Sequence, residues 1–173
     1  MTQFYKKFFK NEKGISLLET IISIGLMSVI FTLVFTTTGK LLDVLNLEQK
    51  EIALREELSE SLFLCKNHVY QSDLLSVSQA GAQLDLIHTA TGRHLVFELV
   101  NSARFPGCSD LIRRENGQPN GKPILYGVLP FPQSGFEIFS RSAGMPLVRI
   151  NLAKMTNGLT VSESMIAFPK GYI

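Results

Sequence analysis

Two cysteines, Cys65 and Cys108, and three histidines are all that this 173-residue chain offers to a thiol- or imidazole-based site. A single cysteine pair excludes a disulfide-dense scaffold and any four-cysteine zinc ribbon. His68, His88 and His94 share no His-x-His or His-Glu-x-x-His spacing, so the common zinc-enzyme patterns are missing. There is no Gly-x-Ser-x-Gly elbow. Gly117 to Lys122 falls short of a phosphate loop, because three residues instead of four separate its glycines and Pro123 follows where a helix must begin. The sequence therefore nominates no catalytic residue, no bound metal and no cofactor.

A strong charge of either sign is missing too. The net charge is +2, and Lys6, Lys7, Lys10 and Lys13 against Glu12 place +3 in the first 14 residues, leaving −1 for the rest. The basicity belongs to the N-terminus and gives no support to a nucleic-acid surface. Charge is scarcest from Ile15 to Gly39, where Glu19 is the only ionisable side chain in 25 residues. As a helix this stretch is about 37 Å long at about 1.5 Å per residue, enough to cross a hydrocarbon core of roughly 30 Å. The basic residues before it favour a cytoplasmic N-terminus, with the following domain outside.

Glu19 is the anomaly in that segment. A charged side chain in a membrane helix costs about 2–3 kcal/mol at the centre and less near an end, and such residues are kept for a partner or a function. No basic side chain lies within a helical turn of it. A cut between Gly14 and Ile15 would create the missing cation, since a free α-amino group is largely protonated near neutral pH. An ordinary secretory signal fits less well: the apolar run exceeds the usual 7–15 residues and ends in Thr36-Thr37-Thr38-Gly39 without an Ala-x-Ala site. A plain signal anchor explains the span but leaves Gly14 and Glu19 without a reason.

From Lys40 to about Tyr70 there is neither glycine nor proline, and Leu47, Leu54, Leu58, Leu62, Cys65 and Val69 recur on one helical face. This predicts an amphipathic helix over 40–70 that continues the apolar one, with Glu51 and Arg55 as an i,i+4 pair and Gly39 as the weak point for a bend. A short coiled coil would use the same face. Beyond Leu75 the texture becomes short apolar runs between turn residues. Leu84 to His88 and His94 to Val100 read as a hairpin. Leu111 to Glu115 and Ile124 to Leu129 flank the polar loop 116–123, Phe136 to Ser140 and Leu147 to Leu152 flank Ala143-Gly144-Met145-Pro146, and Leu159 to Phe168 closes the series. One long helix and six or seven strands predict an α+β domain of about 135 residues, its antiparallel sheet lying on the helix. Alternation puts Val96 and Glu98 on one face and Leu95, Phe97 and Leu99 on the other. It also sends Arg113 and Arg114 to opposite faces. In an oxidising exterior Cys65 and Cys108 allow one possible disulfide; two unbridged thiols fit the sequence equally.

A Lys-rich leader ending in Gly14, followed by Ile-Ser-Leu-Leu-Glu and about twenty apolar residues, resembles the type III signal of type IV pilins and type II secretion pseudopilins. The resemblance implies cleavage by prepilin peptidase after Gly14, N-methylation of Ile15 and an assembly role for Glu19. It divides the chain into a leader (1–14), a transmembrane assembly helix (15–39) and an extracytoplasmic α+β domain (40–173). Ile15 in place of the more usual Phe resembles minor pilins. The runs Leu111-Ile112-Arg113-Arg114 and Pro123-Ile124-Leu125-Tyr126-Gly127-Val128 look like paired strands of the larger minor subunits, the J-type pseudopilins, W-type pilins and the competence pilin called F. The implied function is that of a minor filament subunit in protein secretion, pilus biogenesis or competence. The implied partners are the peptidase, other pilin or pseudopilin subunits, the inner-membrane assembly platform and lipid, with no direct contact to nucleic acid. A membrane-anchored exported enzyme or ligand-binding domain is the alternative of another class.

Overall fold

The structure is a computed structural model and describes residues 17–140, 146–156 and 158–170. The chain divides into two compact units, Met1–Leu47 and Glu48–Ile173. A single α-helix, α1 (Leu17–Gln71), contributes to both and runs through Gly25 and Gly39 without interruption.

In the first unit the hydroxyl-bearing residues explain why so apolar a segment tolerates them. Ser23, Ser28, Thr32 and Thr37 each donate to a main-chain carbonyl three or four residues earlier, at 2.7–2.8 Å, and Thr36 shares its proton between the carbonyls of Thr32 and Leu33. Each hydroxyl is satisfied within the helix, so none needs water.

In the second unit α1 buries the stripe Leu54, Leu58, Ser61, Leu62, Cys65 and Val69. Leu47, expected on the same face, is 51 % exposed, so the buried stripe begins one heptad later. At the helix end the Ser72 hydroxyl and amide both donate to the Val69 carbonyl, and the Asp73 amide donates to Ile87, carrying the chain directly into the sheet.

Among the described residues the sheet has eight strands, all paired antiparallel: β1 (Leu74–Ser78), β2 (Gln83–His88), β3 (Arg93–Asn101), β4 (Ser109–Glu115), β5 (Lys122–Val128), β6 (Gly135–Ser140), β7 (Pro146–Thr156) and β8 (Leu159–Ala167). Their order is β1-β2-β3-β4-β5-β7-β6, with β8 on the other edge of β7. β7 is the hub, because its first half pairs with β6, Lys154 near its end pairs with Val128 of β5, and β8 follows its opposite edge. The expected α+β fold, a long helix on an antiparallel sheet, is what forms.

Alternation works as the pattern requires. On β3, Leu95 and Phe97 are buried while Val96 and Glu98 are only half-buried. Leu84, Leu86, Leu111, Leu125, Val128, Phe136, Val148, Ile150 and Leu152 complete the core against the α1 stripe. β1 is the strand the sequence reading did not announce; its alternation is only five residues long, with Leu75 and Val77 half-buried against the core between exposed neighbours. The loop expected over Ala143 to Met145 lies outside the described residues. Gly81 is required where it stands: its φ is +100°, and a Cβ there would lie 2.9 Å from the Phe131 ring and 3.0 Å from the Phe136 carbonyl.

Leu58 is fully buried against the sheet while Leu47 is exposed, so their truncations separate. Leu58→Ala is expected to cost about 2–5 kcal/mol of the domain's stability, and Leu47→Ala within about 0.5 kcal/mol, read by urea unfolding of the full chain in detergent.

Candidate functional site

The apolar half of α1 is the first candidate. It holds a stretch long and apolar enough to cross a membrane, and none of that stretch is buried within the protein. Leu26, Val29, Phe31, Leu33 and Phe35 are each between 55 and 72 % exposed, and the Phe31 and Phe35 rings stack at 6.4 Å between centroids. Such a surface is compatible with a single-pass membrane anchor. Glu19 lies in the first turns of the described helix with its side chain exposed, and among the described residues no cation pairs with it. Gly14 and Ile15, the expected cleavage and methylation positions, lie outside the described residues.

In the second unit the helix is tied to the sheet by charge as well as by apolar contact. Lys154 of β7 donates to both Glu57 carboxylate oxygens at 2.7 and 2.8 Å, with the lysine side chain only 15 % exposed. Arg55 bridges Glu51, its expected i,i+4 partner, and Glu163 of β8. Local spacing announces the Glu51–Arg55 contact; the other two depend on strand pairing that no local spacing reveals.

Arg113 and Arg114 do point to opposite faces. Arg114 pairs with Glu98 of β3 at 3.1 Å, whereas Arg113 turns towards α1, where its Nη1 stands 3.3 Å from His68 Nε2. Neighbouring them is a partly open pocket of about 30 Å³, lined in part by His68, Ser72, His88 and Arg93, with room for a water-sized group. His94 lies apart from this cavity lining, 3.3 Å from the Asp85 carboxylate.

Cys65 and Cys108 are free thiols, so the disulfide left open by the sequence is not formed. Cys65 is part of the α1 stripe and wholly buried, and that burial pushes its thiol up to about 12. The cause is loss of water around the thiolate, which makes this cysteine a small core residue and a poor nucleophile. Cys108 is half-buried just before β4. Native protein at pH 7.5 is therefore expected to take up a maleimide at Cys108 alone, and at Cys65 only in denaturant, as counted by mass spectrometry of labelled peptides.

Compared with known proteins, the chain matches no family model, no curated protein sequence and no solved structure.

Proposed function

We propose that this protein is a minor pilin or pseudopilin, a filament subunit whose activity is assembly and whose globular domain selects partners. The observation that carries the reading is Glu19, an acid that meets no cation among the described residues, in a helical stretch that is apolar and uncovered. The leader targets the chain to the inner membrane, leaving the N-terminus in the cytoplasm and the sheet domain outside. Prepilin peptidase then cuts after Gly14, and the amine of Ile15, the position that is N-methylated, becomes the cation that Glu19 lacks.

Paired between neighbouring subunits, that amine and carboxylate fix the axial register of helices that otherwise slide past one another, because a charge pair gains strength as the surrounding dielectric falls. Leu26, Val29, Phe31, Leu33 and Phe35 supply the packing surface. The hydroxyls turned back onto the helix keep that surface free of unmet polar groups. The partners of this reading are the peptidase, other pilin or pseudopilin subunits, the inner-membrane assembly platform and lipid.

Substitution separates processing from assembly. Gly14→Ala should leave the full-length precursor in the membrane on an immunoblot. Glu19→Ala should be processed normally yet fall at least about ten-fold in the sheared filament fraction, equivalent to about 1.4 kcal/mol. Normal incorporation of Glu19→Ala would remove the basis of the proposal.

A further inference from the structure

The last turn of α1 meets the sheet through a contact whose sign depends on one proton. His68 is half-buried with its ring 5.7 Å from that of Phe97, and its Nε2 faces Arg113 Nη1 at 3.3 Å. A guanidinium can only donate, so the imidazole accepts there and is neutral. The charged groups facing His68 are Arg113 and Glu115 from β4 and Arg93 from β3, and Glu115 is already engaged by Arg93 at 2.6 Å. From β2, His88 lines the same small cavity; its Nδ1 is buried without a hydrogen-bond partner and lies 4.0 Å from the Asp73 carboxylate. Asp73 in turn accepts from the hydroxyl and amide of Thr89, which hold its carboxyl below the usual range.

We propose that this corner is an acid-sensitive clasp: a proton on His68 releases the last turn of α1 from β4. Protonation turns Nε2 from an acceptor into a donor aimed at another donor, and sets a second positive charge 3.3 Å from a guanidinium that cannot give up its own. A proton on His88 has a different neighbour, the Asp73 carboxylate, so the strain falls on the helix end and not on the α1–β1 connection. Release uncovers the Phe97 ring, one of the largest fully buried side chains in the protein.

Burial, then Arg113, then Arg93 hold His68 below its ordinary value of 6.5, with Glu115 opposing. The folded state thus binds this proton less readily than the opened state. The clasp is whole above about pH 7, and its stability is lost progressively as pH falls through the opened-state value towards the depressed folded one. All the groups involved belong to the second unit, so the clasp stands whether or not the chain is a filament subunit.

Hydrogen exchange of the full chain in lipid nanodiscs at pH 7.5 and 5.5, corrected for intrinsic exchange, tests it. Amides of residues 66–71 are expected to open up to about ten-fold more often at pH 5.5, the limit set by an ordinary histidine pKa, while the turn around Leu58 is unchanged. His68→Gln, which keeps a neutral acceptor for Arg113, should abolish the difference, and His88→Gln should preserve it. Should His68→Gln fold poorly, the wild-type His68 ring followed by NMR is expected to titrate below 6.5. Equal opening at both pH values, a difference that survives His68→Gln, or a ring that titrates at or above 6.5 would each overturn the clasp.

Discussion

From Leu17 to Gln71 one unbroken helix carries two side-chain patterns, and each dictates different surroundings. The first is apolar on every side and leaves its leucines, isoleucines and phenylalanines exposed. The second confines apolar residues to a stripe and buries Leu58, Cys65 and Val69 completely. A helix gains little stability from propensity alone; what fixes its place is the surface it buries. The sheet supplies that surface for the second pattern. Nothing among the described residues supplies it for the first, and this asymmetry underlies the assembly reading.

Charge reinforces the division. In the second unit two of the carboxylates along α1 find cations: Glu57 meets Lys154, and Glu51 meets Arg55, which also reaches Glu163. The Lys154 pair is partly shielded from water, which strengthens it and lets it hold the Glu57 turn of α1 on β7. The exposed Arg55 pairs contribute less. Glu19, by contrast, has no cation among the described residues. On the proposed reading its partner is a newly cut N-terminus.

Much of the architecture was legible because it is written in local periodicity. The span, the amphipathic continuation, the β2–β3 hairpin and the β4 and β5 strands around the 116–121 loop all follow from spacing and turn residues within short windows. What escaped depends on distant chain. β1 alternates over only five residues and takes its place by pairing with β2, and the role of β7 as hub arises from pairing with three strands at once. Leu47 fits the helical stripe by spacing yet stays exposed, since periodicity shows which way a side chain points and not how far the sheet extends. His68 shares no motif spacing with the other histidines, so nothing local singles it out. Its contact with Arg113 joins residues 45 positions apart, and no motif foretells it. The proposed assembly acid was legible in full, for the opposite reason: an isolated charge in an apolar run is visible without any tertiary knowledge.

The central claim is that proteolysis creates the cation Glu19 lacks, and the intact mass of the wild-type protein isolated from its own membrane tests it most directly. The account predicts a polypeptide that begins at Ile15, heavier by one methyl group on its amine. A native chain that still begins at Met1, or one that begins beyond Gly39 and has lost the apolar helix altogether, would contradict it.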